Sequence, residues 1–356
     1  MTSIEHSEQN WPAPNNPKPI TIVGAGGIVR DAHLPAYNQA GLKVCAVTDL
    51  DAGRRSALAA DHDIGKVYGS VAAAVAALGT TCVYDVAVPP VAILSVLRDL
   101  PEHAAVLIQK PMGLDLAGAR EIRALCRERK LKAAVNFQLR FSPMMMAARQ
   151  AIAKGLIGDL LEIEVHANIF TPWTLFPFLL TMDRVEILVH SIHYLDSIRA
   201  LFGTPKGVFA RSMGDPRAPG FAQTRTSVML DWGDQRRGLM SINHNHQAGR
   251  KFQSAWFRIE GTEATMMIKL GVCFDYPRGE ADELWFCPNG GEWRQVPLTG
   301  SWFIESFMGP MRNVQRFDAG EDDRLFSGVE DAFETMALVE ACFDAMERPP
   351  VPLQLN

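Results

Sequence analysis

The sequence is short of the features that place a protein in a class at first sight. None of its six cysteines (Cys45, Cys82, Cys126, Cys273, Cys287 and Cys342) forms a C-x-x-C pair. Their scatter suits reduced, mostly buried thiols and not a disulfide framework. No apolar run approaches the ~20 residues of a membrane span. The formal net charge is only −5, too mild for electrostatic steering, and it gives no support for nucleic acid or an anionic membrane as partner. Internal repeats and low-complexity tracts are absent too. Met1 to Pro19 has no apolar segment of the kind a signal peptide carries. Residues 1–17 read as a flexible arm, and the expected compartment is the cytoplasm.

What is present is ordinary globular composition. Of 356 residues, 47% are hydrophobic and 21% charged, enough for a sizeable core and, by length, two domains. Ile20-Thr21-Ile22-Val23 is an apolar, β-branched run that stops at glycine, as a buried parallel strand does. Further apolar runs at 43–48, 82–88, 104–109 and 132–137 alternate with helical patterns. The last of these, Leu116 to Arg129, turns Ile122, Leu125 and Cys126 inward. This order implies a doubly wound parallel sheet over residues 18–140. From 141 to 356 the rhythm changes. Leu161, Ile163, Val165 and Ala167 alternate with Glu162, Glu164, His166 and Asn168, the pattern of a half-buried strand. Similar strands recur, and helices are expected at 186–202, 304–317 and 328–348. The second domain is therefore read as α+β, with a large, mostly antiparallel open sheet.

Gly24-Ala25-Gly26-Gly27-Ile28-Val29 lies between the first strand and a helix. Glycine at 24 permits a tight turn, and glycine at 26 and 27 lets backbone approach a pyrophosphate at the helix N-terminus. Val29 stands where the fingerprint has its third glycine. Asp49 ends the second strand 23 residues after Gly26, where a carboxylate accepts from both hydroxyls of an adenosine ribose. It would repel a 2′-phosphate, so NAD is expected; Arg54 and Arg55 keep NADP as the alternative. This makes the first domain a Rossmann dinucleotide-binding domain.

Lys110 follows a buried strand and emerges at the carboxyl edge of the sheet, where ligands bind in open α/β folds. A lysine there donates to a substrate hydroxyl and, if desolvated, takes its proton. At helical spacing Glu186, His190 and His193 share one face, with Asp196 a turn further on. Such a stripe on an otherwise apolar helix suggests a polar pocket. Against this stands the plainer reading of satisfied histidines in a core. As zinc ligands, the pairs His190/His193 and His244/His246 each lack an obvious set of carboxylate or thiolate partners, so no metal is expected.

At these motifs the chain resembles the Gfo/Idh/MocA family, named for glucose–fructose oxidoreductase, inositol dehydrogenase and a rhizopine-catabolism protein. The resemblance runs from about Ile20 to the final helix. Val23 to Ile28 with His33-Leu34-Pro35-Ala36 resembles the family's opening, and Val88-Pro89-Pro90 its loop over the nicotinamide half of the cofactor. Gln109-Lys110-Pro111 matches its E-K-P motif, which places the family's catalytic lysine on Lys110 and Gln109 beside the cofactor. The active-site histidine falls on His193, and Asn136 to Phe141 resembles the crossing between domains. Two departures stand out. Gln109 replaces the usual glutamate, and Val189 replaces an aspartate four residues before the histidine. Glu186 or His190 is expected to supply the missing polar partner.

The resemblance implies an NAD-dependent dehydrogenase that oxidises a secondary hydroxyl of a sugar, glycoside, anhydrosugar or cyclitol. Lys110 and His193 would hold the reacting hydroxyl, and Arg140, Trp173, Asn243, His244 and His246, with Trp256, are candidates to hold the substrate. One alternative is an enzyme that keeps its NAD and oxidises the sugar transiently. The other is a nucleotide-sensing regulator, against which the retention of both Lys110 and His193 argues. The resemblance implies a homodimer or homotetramer, for which the exposed face of the open sheet would serve as the surface.

Overall fold

The computed structural model describes residues 4–173, 177–275 and 278–354. The chain divides into two compact units, one of Met1–Gln150 with Leu298–Met336, the other of Ala151–Pro297 with Ala337–Asn356.

In the first unit, strands β1 (Ile20–Val23), β2 (Val44–Thr48), β3 (Lys66–Tyr68), β4 (Val83–Val86), β5 (Ala105–Ile108) and β6 (Lys132–Val135) alternate with helices α1 (Leu34–Gln39), α2 (Ala52–Asp61), α3 (Val71–Leu78), α4 (Pro90–Asp99) and α5 (Leu116–Glu128). The strands form one all-parallel sheet in the order β3-β2-β1-β4-β5-β6, the doubly wound arrangement expected from the sequence. Every residue of β1, β4 and β5 is buried, which is why they read as continuous apolar runs and not as alternating ones. Side-chain caps fix helix starts: Asp51 accepts from Arg54 N at α2, Ser70 from Ala73 N at α3, and Asp115 from Gly118 N at α5. Helix α6 (Pro143–Ala153) leads out of this region.

The second unit is built on an eight-stranded sheet. Its strands are β7 (Leu160–Asn168), β8 (Gly207–Met213), β9 (Arg225–Asp231), β10 (Arg237–Asn243), β11 (Ser254–Gly261), β12 (Ala264–Lys269), β13 (Glu283–Pro288) and β14 (Arg294–Val296). Their order is β14-β13-β12-β11-β7-β10-β9-β8, and all pairs are antiparallel except β7 with β10. The alternation read from β7 holds: Ile163, Val165 and Ala167 are buried and their neighbours are not. Helix α7 (Ile192–Phe202) packs on the inner face of this sheet, with Tyr194 edge-on to Phe257 at 5.8 Å between ring centres.

Two expectations need correction. A single cut at residue 140 misses helix α8 (Glu305–Asp318), which belongs with the first unit. Met311 and Val314 of α8 are fully buried in the core formed by Ile20, Val83 and Leu107. The approach is close: a Cβ on Gly309 would lie 2.5 Å from Phe141. Helix α9 (Val329–Met346) closes the chain. Residues 4–17 are not a flexible arm but a strap on the first unit. Trp11 stacks on Phe326 at 5.5 Å and meets Phe141 edge-on at 5.3 Å. Its indole N–H donates to Asp322 Oδ2 at 2.8 Å, and its carbonyl accepts from Arg312 at 3.0 Å. Further along, Asn15 N–H donates to Glu321, and Lys18 and Gln315 exchange two hydrogen bonds. A polar segment is ordered here because partners distant in sequence satisfy its backbone and indole.

Candidate active site

In the first unit, the residues read as cofactor contacts lie along one edge, the carboxyl ends of β1, β2, β4 and β5. Gly24 has φ +104°, and a Cβ there would stand 2.4 Å from Ala87 O and 3.3 Å from Val88. Only glycine fits, and the turn is pressed against the Val88-Pro89 loop that begins α4. Above Gly26 a Cβ would meet nothing within 4 Å. That free space, beside helix N–H groups that have no partner within the helix, is a cradle for a pyrophosphate. Val29, at the third fingerprint position, is fully buried, and the helix opens with a π-helical stretch, Val29–His33. Asp49 accepts from Ala25 N–H and from Asp51 N–H, each at 2.7 Å. Its carboxylate is thus anchored to the glycine turn with lone pairs left for ribose hydroxyls. Arg54 lies 3.6 Å from Asp49 Oδ1, and Arg55 donates to Asp49 O at 3.0 Å. The residues present therefore fit a dinucleotide.

Lys110 follows β5 and joins Pro111 through a cis peptide bond. Its side chain keeps some exposure, but burial of the ammonium lowers its pKa from the ordinary 10.5 to about 8. Gln109 Oε1 accepts from Lys110 N–H at 2.9 Å. Beneath lies a buried network that the sequence reading missed. His33 Nδ1 meets Asp85 Oδ2 at 2.7 Å, Tyr37 donates to the same oxygen at 2.9 Å, and Gln109 and Asn136 approach His33 Nε2. The signal was available: Asp85 sits mid-strand in an apolar run, and a carboxylate buried on both faces requires donors.

In the second unit, Glu186 and His190 lie on a π-helical stretch, Glu186–Ser191, that precedes α7. The 3.6-residue spacing assumed for Glu186, His190 and His193 does not apply across it. The i→i+5 pattern instead brings Ser191 back to Glu186. Ser191 Oγ donates to Glu186 Oε1 at 2.6 Å, and His244 Nε2 lies 3.2 Å from the same oxygen. Thr171 Oγ1 is 2.8 Å from His244 Nδ1. Glu186 is fully buried and its Oε2 has no partner among the described residues. The His190 ring packs against His244 at 4.6 Å and edge-on to Trp173 at 5.7 Å, while Trp173 stacks on Phe221 at 4.4 Å. Trp173 also donates to Asn245 Oδ1 at 2.8 Å. His193 is buried on α7, as is Asp196.

The remaining candidates fall elsewhere. Asn243 donates to Asn168 Oδ1, and Asn168 Nδ2 lies 2.9 Å from His246 Nδ1, so His244 and His246 serve different networks. Trp256 stacks on His166 at 5.4 Å on the sheet. Arg140 is buried, donates to Phe326 O at 2.6 Å and pairs with Asp331 at 2.7 Å, which accounts for its charge within the first unit. Among the described residues no group of three or more His, Cys, Asp or Glu side chains is placed to hold a metal ion. Nor is any described helix long and apolar enough to cross a membrane.

With this geometry in place, two family models match. One, described as "Oxidoreductase family, NAD-binding Rossmann fold", covers residues 18–137, and the other, "Oxidoreductase family, C-terminal alpha/beta domain", covers residues 149–353. The chain belongs to the Gfo/Idh/MocA oxidoreductase family. It is an NAD(P)-dependent oxidoreductase. The chain is 26% identical over 333 residues to D-apiose dehydrogenase of Paraburkholderia graminis, covering 90% of this chain and 86% of the relative. It is 24% identical over 251 residues to 1,5-anhydro-D-fructose reductase of Ensifer adhaerens, covering 69% and 74%. The fold is shared with an oxidoreductase from Agrobacterium radiobacter crystallised with NAD+, L-tartaric acid and magnesium (TM-score 0.77, 20% identity, 93% of this chain and 96% of that one).

Proposed function

We propose that this family member is an NAD-dependent dehydrogenase that oxidises a secondary hydroxyl of a sugar, glycoside, anhydrosugar or cyclitol. The observation that carries the reading is Lys110: a lysine at the carboxyl end of β5, on the same edge of the sheet as the glycine turn, whose pKa is brought to about 8 by burial. A base is most effective when its pKa lies near the working pH. Lys110 and His193 hydrogen-bond the reacting hydroxyl, and one of them removes its proton. When bound, NAD supplies the hydride acceptor. Gly24, Gly26, Gly27 and Ile28 hold the pyrophosphate, Asp49 the adenosine ribose, and Val88, Pro89 and Gln109 flank the nicotinamide end. Asp49 favours NAD over NADP because a carboxylate repels a 2′-phosphate. Glu186, with Ser191 and His244 on one of its oxygens, supplies the buried carboxylate that Val189 does not. Trp173 and His244 help to hold the substrate. The relatives that act on apiose and anhydrofructose support a carbohydrate substrate.

The test is nicotinamide reduction, followed by absorbance, across free sugars, glycosides, anhydrosugars and inositols, with Lys110→Ala in parallel. Turnover of one substrate class, reduced about 10³-fold or more in the variant, is the expected outcome. Silence across the panel, with nucleotide released on denaturation, would favour an enzyme that recycles a retained NAD.

A further inference from the structure

Five elements meet at His33. His33 and Tyr37 come from the first helix, Asp85 from β4, Gln109 from the end of β5 and Asn136 from the end of β6. The imidazole is fully buried. Asp85 and Tyr37 are the titratable groups that face it among the described residues. The amides of Gln109 and Asn136 and, from α8, the Phe307 ring at 5.3 Å complete its surroundings.

The direction of the Gln109–His33 hydrogen bond follows from the backbone. Lys110 N–H donates to Gln109 Oε1 at 2.9 Å. This fixes the amide, so Gln109 Nε2, a donor only, faces His33 Nε2 at 3.4 Å. Asn136 Nδ2 reaches the same nitrogen at 3.3 Å. A ring nitrogen that receives donors must carry a lone pair, so the ring proton sits on Nδ1 and points at Asp85 Oδ2, 2.7 Å away. Tyr37 donates to that oxygen as well, and burial together with Asp85 keeps its phenol protonated. The chain runs one way, from the backbone of Lys110 to the carboxylate of Asp85.

We propose that His33 is a positioning residue for Lys110: held by Asp85 as the neutral Nδ1–H tautomer, it clamps Gln109 and, through it, the backbone of Lys110. The clamp is uncharged at its Lys110 end, so it orients the lysine without adding a negative charge that would favour the ammonium form. The functional meaning rests on Lys110 being the catalytic lysine, as read above; the hydrogen-bond chain itself does not.

The tautomer is measured in the wild-type protein by long-range correlation spectra of ¹⁵N-labelled histidine, with the His33 signals assigned by their loss in His33→Gln. A proton on Nδ1 and a lone pair on Nε2 are expected at neutral pH, and an Nε2–H tautomer would overturn the proposal. In Gln109→Glu the new side chain only accepts, so His33 is expected to become doubly protonated. The carboxylate next to Lys110, offset only in part by the imidazolium, is expected to raise the titration midpoint of Lys110, read from pH-dependent acylation of Lys110 by mass spectrometry. An unmoved midpoint would overturn the proposal. With substrate, His33→Leu is expected to lower kcat roughly tenfold to a hundredfold while KM changes by less than about threefold, and unchanged kcat would overturn it too. The spectra and the acylation need no substrate. If both behave as expected and the sugar panel is silent, the functional reading fails and the clamp stands.

Discussion

Ser191 Oγ donates to Glu186 Oε1 across a π-helical turn, leaving Glu186 Oε2 buried with no partner among the described residues. A buried carboxylate oxygen without a donor costs stability, and such a cost is tolerated most readily where function needs it. Glu186→Gln keeps the acceptor for Ser191 and removes the charge. It is expected to cut turnover roughly a hundredfold while leaving the thermal midpoint equal or higher. If Glu186→Gln and His190→Ala both retain full turnover, neither residue replaces the aspartate missing at Val189.

Asp49 is anchored by two backbone N–H groups and neighboured by Arg54 at 3.6 Å. Asp49→Asn keeps an acceptor for Ala25 N–H, removes the charge that repels a 2′-phosphate and frees Arg54 to pair with it. Catalytic efficiency with NADP relative to NAD is expected to rise roughly tenfold to a hundredfold. Steady-state kinetics with both cofactors check it, and an unchanged ratio would place cofactor choice elsewhere.

Trp11 is the centre of the N-terminal strap, held by Phe141, Phe326 and Asp322. Trp11→Ala removes two ring contacts and leaves Asp322 short of a donor. A loss of about 2 kcal/mol in unfolding free energy is expected. Denaturant titration measures it; a loss under ~0.5 kcal/mol would mean that the strap is ordered without contributing stability.

The sequence showed the parallel sheet because β1, β4 and β5 are buried on both faces, and it showed the open sheet because β7 alternates. Both signals are local. The return of α8 to the first unit was hidden because Met311 and Val314 fit any apolar core, and nothing in a helical period names the sheet it covers. The strap was hidden for a similar reason: its partners lie about 300 residues away. The placement of Lys110, Asp49 and the glycine turn at the carboxyl edge of the sheet was legible from position alone. The neighbours of Glu186 were not, because the π-helical stretch Glu186–Ser191 shifts the spacing on which face assignments rest. His33 is legible only as part of a motif, although Asp85, a carboxylate inside an apolar run, calls for a buried donor such as its imidazole.

The second unit's sheet carries exposed apolar side chains on β8 and β9. Phe209 and Met229 lie directly opposite each other on β8 and β9, 62% and 39% exposed, and Met213 is exposed near the end of β8. Apolar side chains on a broad sheet face suit self-association. Sedimentation is expected to give a dimer or tetramer, and Phe209→Glu with Met229→Lys a smaller species. An unchanged mass would place the interface on another surface.

Lys110 links chemistry to stability through one pKa. Its folded value, about 8, lies below the ordinary 10.5, so between these values the unfolded chain binds more protons than the native one and stability rises with pH. Below pH 8 the native state carries the full penalty of a buried ammonium, and above 10.5 it carries none. Lys110→Met, similar in shape and without the charge, is therefore expected to stabilise the fold at pH 7 by up to ~3 kcal/mol. The gain should shrink as pH rises from 8 toward 10.5. The same pKa sets the acid limb of turnover: if the neutral amine takes the hydroxyl proton, activity in the wild type rises through pH ~8 and then levels. Unfolding curves for both proteins across this range, set beside the pH–rate profile, separate the two roles. A stability gain that does not change with pH would mean that the methionine packs better and that Lys110 is not strained by its charge.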